Sequence, residues 1–168
     1  MNFKDLSQSR YSQRRFSSLP IEADKIQEIL AAARIAPTAH NNQPQRIKVV
    51  DSPDALAKID AATSCRFGAP TVFLICYDKN EAWQRTYDGA YSGEVDASIV
   101  TTHMIFAAEE LGLGSCWVMH FDPRILIKEF DLPEHLIPVA ILPVGYPAEN
   151  ARPAKIHFER KDISELLF

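Results

Sequence analysis

Cysteine is scarce: Cys65, Cys76 and Cys116 are the whole complement of this 168-residue chain. Far apart and odd in number, they argue against a disulfide framework and a zinc knuckle. Cys76 and Cys116 fall in apolar runs and are expected to pack as small hydrophobes. Glycine is scarce too, at six residues, and no GxGxxG follows a strand and no Walker loop occurs. Gly112-Leu113-Gly114 reads better as a helix stop than as a dinucleotide fingerprint. HExxH, CxxC and GxSxG are all missing. The five histidines, His40, His103, His120, His135 and His157, share no metal-ligand spacing, so no metal is expected. His103 reads as a satisfied core residue of an apolar helix, whereas His120 directly follows a strand and is better placed to face a site. No Ser, His and acid set suits acyl transfer. There is no excess of positive charge: 18 Lys and Arg against 22 Asp and Glu give a net −4. No global basic field therefore points to nucleic acid. No apolar stretch approaches membrane-spanning length, and MNFKDLSQSRYSQRRF has no apolar core of signal-peptide length. A reducing cytoplasm, with no membrane partner, is the expectation. Reactive side chains are thus few, and an enzyme built on this chain would need a bound cofactor to carry its reaction.

What is present suits one folded domain over residues 1–168, with 46% hydrophobic and 24% charged residues. A short helix is expected over Asn2–Ser9, with Phe3 and Leu6 inward. Pro20 precedes a helix over Glu22–Ala36, whose Ile26, Ile29, Leu30 and Ala33 share one face. Arg46–Asp51 reads as a strand. Ser52 and Pro53 start a helix to about Ala62. Pro70–Tyr77 is a continuous apolar run of strand length, suited to a central strand covered on both faces. Asp78–Gly93 is loop-like, and its Trp83, Tyr87 and Tyr91 could cover a pocket or pack on the surface. Glu94–Leu111 is the longest helix, apolar on several sides, with Val95, Ile99, Thr102 and Phe106 on one face; it suits a core or a dimer interface. Ser115–Met119 reads as a short strand, Asp122 and Pro123 start a helix to about Phe130, and Pro138–Gly145 is the last core strand. The order predicts a mixed α/β layer structure rather than a clean βαβ repeat. The tail from about 147 to 168 is rich in charge and proline, yet ends in the apolar ISELLF, which needs a home on its own or a partner subunit.

Two stretches could hold a ligand. In RIAPTAHNNQPQ, Arg34–Gln45, Pro37 and Pro44 stiffen a loop crowded with amide donors and acceptors. Such a loop could line a planar heterocycle, although an ordinary capped helix-to-strand turn has the same composition. In RYSQRRF, Arg10, Arg14, Arg15 and Ser12 could grip a phosphate, although a solvated basic turn looks the same.

Taken together, five stretches resemble the nitroreductase family of FMN-dependent, NAD(P)H-oxidising homodimers. Arg10-Tyr11-Ser12-Gln13-Arg14 is similar to its R-x-S-x-R opening, and Ala36 to Pro44 to its A-P-[ST]-x-x-N-x-Q-P loop. Ser92 to Ser98 resembles the start of its central helix. Gly112 to Trp117 and Leu142 to Pro147 resemble its two late motifs. The resemblance implies an α+β, three-layer fold, with a mixed central sheet flanked by helices, and an interlocked homodimer whose tails wrap the partner subunit. It implies FMN, with NADH or NADPH as co-substrate. By motif position, Arg10, Tyr11, Ser12 and Arg14 would meet the FMN, Arg10 at the phosphate and Arg14 at the pyrimidine edge of the flavin. Pro37, Thr38, Ala39, Asn41 and Gln43 would come from the other subunit. Trp117, Val118, Met119 and His120 would lie beside the ring, the Met119 N–H near N5, with Pro143 and Gly145 in the late strand. Lys155 and His157 fit the family's basic phosphate residue near the tail. The chain departs from the pattern at Gln45, where the family usually has an aromatic residue. It departs again at His120, where a small residue is usual and where a substrate contact could result. The implied activity is ping-pong electron transfer from NAD(P)H to nitroaromatic, quinone or similar planar acceptors. The alternatives are a non-catalytic flavin-binding or sensing dimer, or a flavin enzyme of the same fold that dehalogenates or oxidises a ring.

Overall fold

Short capping signals set the starts of three of the five described α-helices. In the computed structural model, which describes residues 2–168, Asn2 caps helix α1 (Phe3–Ser9) by accepting from the Asp5 N–H at 3.0 Å. Helix α2 spans Ala23–Ile35 and strand β1 Gln45–Val50. Ser52 caps α3 (Pro53–Ala62), and Asp122 caps α5 (Pro123–Glu129), each with proline in the first turn. Between them lie β2 (Thr71–Asp78), α4 (Gly93–Glu110) and β3 (Gly114–Ser115), and β4 (Leu136–Gly145) follows. Gly112, at φ +75°, closes α4 in the left-handed region, and the Leu113 N–H bonds back to the Ala108 carbonyl at 2.9 Å. Gly114, also expected to end this helix, belongs instead to β3.

The sheet runs β1-β2-β4-β3, and all three ladders are antiparallel. Its mixed character reduces to one parallel bridge, Ser12 with Ser115 at the rim. Every residue of β2 is buried, because helices cover both faces. Phe73, Ile75 and Tyr77 pack in the cluster that holds Ile29 and Ala33 of α2 and Val100 and Met104 of α4. Val72, Leu74 and Cys76 pack in the opposite cluster with Ile59 of α3 and Leu126 of α5. Three layers follow: α2 and α4, the sheet, then α3 and α5. No helix among the described residues is long and apolar enough to cross a membrane.

Several expectations shift. The strand expected over Ser115–Met119 contracts to Gly114–Ser115, because Pro143 opposite offers no N–H to the ladder. Only the Cys116 N–H to the Pro143 carbonyl (3.1 Å) and a Val118–Ile141 bridge continue the pairing. Interior β4 tolerates its other proline, Pro138, at a register shift opposite Ile75 and Cys76. Phe3 is not inward. It is 71% exposed and leans on Phe106, with ring centroids 5.4 Å apart. The face of α4 that begins with Val95 is also uncovered, with Val95 61% exposed. His103 is half-buried rather than a core residue.

Candidate cofactor site

The basic turn after α1 is pinned to the sheet rim by its one buried polar residue. Gln13 is 1% exposed, its N–H bonds to the Ser115 carbonyl at 2.9 Å, and its side-chain amide bonds to the Arg15 carbonyl. Gly114 makes this docking possible, since a Cβ there would lie 2.5 Å from the Gln13 side chain. With Gln13 turned inward, its neighbours turn outward. Ser12 and Arg14 line a cleft of about 260 Å³ with Arg15, Asn150, Ala151 and Arg152. Burial pushes the Cys116 thiol up, and Arg14, a hydrogen bond with Ser12, and Arg10 oppose it. Arg14 also stands 6.0 Å from the centre of the Phe67 ring. Tyr11 meets the His157 ring edge-on at 6.1 Å. Burial first, then the Glu109 charge, raise the Tyr11 phenol. Lys155 opens the same short turn as His157.

The amide-rich loop is organised from the other side of the molecule. Asp96, 2% exposed, accepts from the Ala39 N–H at 2.8 Å and from the Ser92 hydroxyl at 2.6 Å. This clasp ties Pro37–Asn41 to the start of α4. His40, Asn41 and Gln43 all have φ between 53° and 56°, left-handed positions that L-residues adopt at a cost. Thr38 supports them by accepting from the Gln43 N–H at 3.0 Å, and the Gln43 amide bonds the Asn41 carbonyl at 3.1 Å. Asn42 donates to the Glu81 carbonyl at 2.9 Å, and the His40 ring stacks on Trp83.

Beyond β3 the chain passes through Trp117 to His120. Val118 is buried, Met119 is 69% exposed, and the Met119 N–H meets no acceptor among the described residues. Thr63 holds the His120 carbonyl through its hydroxyl. His120 lines a surface cleft of about 400 Å³ with Thr63, Asp122 and Arg124. The Trp117 Nε1–H is buried and has no partner. Trp117 also borders the uncovered α4 face of Val95, Ile99 and Thr102. Pro143 and Gly145 are buried within β4, and Gly145 leaves room for Pro70 and Phe16, whose atoms a Cβ would meet at 2.8 and 3.1 Å.

Among the expected site residues, the 10–14 turn with His157 and the 37–43 loop form two separate groups on one chain. No hydrogen bond, ion pair or ring contact joins the two among the described residues.

The profile of the nitroreductase family matches residues 8–68 and 65–146. The chain belongs to the nitroreductase family. It is 30% identical to a Methanothermobacter thermautotrophicus protein named for NADH dehydrogenase and NAD(P)H nitroreductase activity, across 95% of this chain and 88% of that one. A solved nitroreductase-family protein from Clostridium difficile 630 superposes with a TM-score of 0.94 at 40% identity, covering 100% of this chain and 98% of that one. A structure from Exiguobacterium sibiricum solved in complex with FMN shares the fold, with a TM-score of 0.85 at 17% identity, over 99% and 96% of the two chains.

As a nitroreductase, the chain carries site features that reading the sequence missed. Asp96, within the stretch from Ser92 to Ser98, is the anchor of the amide-rich loop. The available signal was a carboxylate between Val95 and Ala97 on a helix otherwise rich in apolar residues. Arg152 joins the basic cleft from the tail side, and nothing in its Ala-Arg-Pro setting announced it. Arg66 is held by Asp60 at 2.7 Å and by the Ala69 carbonyl. Gln45, the departure from the family pattern, has its Oε1 buried without a partner. Among the described residues no three His, Cys, Asp or Glu side chains gather as a metal site requires.

Proposed function

We propose that this nitroreductase is an FMN-dependent NAD(P)H oxidoreductase working as a homodimer. The donor set of the basic cleft carries this reading: Ser12, Arg14, Arg15 and Arg152 line it, and Arg10 begins the same turn. Forked guanidiniums and a hydroxyl suit a phosphate monoester and an electron-rich ring edge. The residues fit FMN in a second respect. The 37–43 loop offers backbone and amide groups, and the Met119 N–H meets no acceptor among the described residues. The two groups would meet only across a pair of subunits, and the uncovered α4 face beside Trp117 suits that contact. The apolar tail does too: Ile156, Phe158, Ile163, Leu166, Leu167 and Phe168 are each at least 68% exposed, as in a segment that wraps a neighbour.

Bound FMN would supply the hydride acceptance and electron transfer that no side chain here offers. Arg10, with Lys155 or His157, would hold the phosphate. Arg14 would place a permanent cation at the pyrimidine edge, where negative charge develops on reduction. The 37–43 loop and Trp117–His120 would enclose the ring, and His120 would border the acceptor. NAD(P)H and a nitroaromatic, quinone or similar planar acceptor would take turns in one place, which makes the cycle ping-pong.

The test begins with the visible spectrum of purified protein, cofactor release and mass measurement. A yellow protein that releases FMN and oxidises NAD(P)H with a nitroaromatic or quinone is expected. A colourless protein that takes up no FMN refutes the proposal, and a yellow one inert towards every acceptor favours a binding or sensing module. In stopped-flow work, Arg14→Ala should slow flavin reduction more than it weakens FMN retention; an unchanged rate removes Arg14 from that role.

A further inference from the structure

The loop between β2 and α4 carries an aromatic pair that the cofactor reading leaves unused. Trp83 stands at the base of a self-bonded hairpin. Its carbonyl accepts from the Ser92 N–H at 2.8 Å, and Gln84 bridges Tyr91 above it. Arg85 bonds Asp88 at 2.6 and 2.8 Å across the tip. The backbone that carries the half-buried indole is therefore held. Against it lies the His40 imidazole, with centroids 5.6 Å apart and planes 14° from parallel. His40 is exposed, and its ring makes no hydrogen bond among the described residues. Only stacking holds it. Its backbone is left-handed, at φ 54° and ψ 13°. Asp96 fixes the preceding Ala39.

An indole on a held hairpin, faced by a ring held only by stacking, has the form of an occupied binding face. The face of an indole is electron-rich and attracts flat rings that are electron-poor or cationic. An imidazole is a small partner for it. We propose that Trp83 is a stacking platform for a flat, electron-poor ring, and that His40 is the placeholder such a ring displaces. The ligand class is a nitroarene, a quinone or an oxidised nicotinamide. The proposal rests on the function above in one respect: His40 lies between Ala39 and Asn41, two residues assigned there to the flavin. Displacing His40 would then admit an acceptor beside the loop that encloses the cofactor.

The test is a calorimetric titration of the oxidised, FMN-loaded protein with 4-nitrobenzoate, with no NAD(P)H present. Trp83→Ala should weaken binding about threefold to tenfold, the range of one aromatic stack, and Trp83→Phe should restore most of it. His40→Ala should act oppositely and tighten binding, because the competitor is gone. Steady-state kinetics should show the same opposed shifts in KM for this acceptor, and the ratio of its kcat/KM to that of ferricyanide, which needs no stacking, should fall in Trp83→Ala. Binding unchanged in both Trp83 variants overturns the proposal. So does weakening by His40→Ala in step with Trp83→Ala, which marks the pair as a fixed structural stack. A Trp83→Ala protein that does not fold leaves Trp83→Phe and His40→Ala to decide by the same criteria. A protein that takes up no FMN defeats the function above. The titration of that cofactor-free protein then decides the platform on its own.

Discussion

Asp96 shows how one side chain can shape a loop far away in sequence. Its carboxylate satisfies the Ala39 N–H and the Ser92 hydroxyl from a nearly water-free position. Asp96→Ala would leave both donors unpaired, a loss of about 1–3 kcal/mol for each group that stays buried. Urea melts should register that loss, and the FMN content of the purified variant should fall with it. Gly93 makes a similar point through sterics. A Cβ there would lie 2.1 Å from the Tyr77 ring, so Gly93→Ala should lower the melting temperature even though alanine is the better helix former. Cys76 is the inert extreme, since burial pushes its thiol up to about 12. Alkylation of the native protein at pH 8 should spare Cys76, and mass mapping would show it. At this scale the sequence was only partly legible. Cys76 and Cys116 could be read as packed hydrophobes because their neighbours are apolar. The importance of Gln13 and Gly93 could not, because it comes from close approaches between elements distant in the chain.

Elements bounded by their own side chains were the readable ones. Ser52-Pro53 and Asp122-Pro123 start their helices where a short polar cap and a proline dictate. The end of α4 likewise lies at Gly112. The contraction of β3 was hidden, because it depends on which residue of β4 lies opposite. The α5 cap also has a pH signature. A hydrogen bond from the Arg124 side chain, then backbone donors, hold the Asp122 carboxyl down from an ordinary 3.8 to about 2. A carboxyl lowered on folding stabilises above its unfolded value and loses that contribution as pH falls through the folded one. The cap should therefore persist to about pH 3.8 and fail towards pH 2. An NMR titration of the Asp122 side-chain carboxyl should give a midpoint near the lower figure, and a midpoint at the ordinary value would remove the Arg124 bond from solution.

The order of elements gave a mixed α/β layer structure, with a β2 run apolar enough to need cover on both faces, and the family resemblance supplied the three-layer α+β arrangement. The assembly was less legible, since a tail such as ISELLF suits its own core as well as a neighbour's. The structure leaves that tail's large side chains in solvent. Removing residues 155–168 should leave the sheet folded, as circular dichroism would show, yet sedimentation should find a lone subunit, without FMN.

The division of the site residues into two unconnected groups has a genetic consequence. Two defective alleles, one altered at Arg14 and the other at Asn41, should complement each other when co-expressed. A mixed pair then places both lesions in one centre and leaves the other wild type, so activity absent from either parent would reappear.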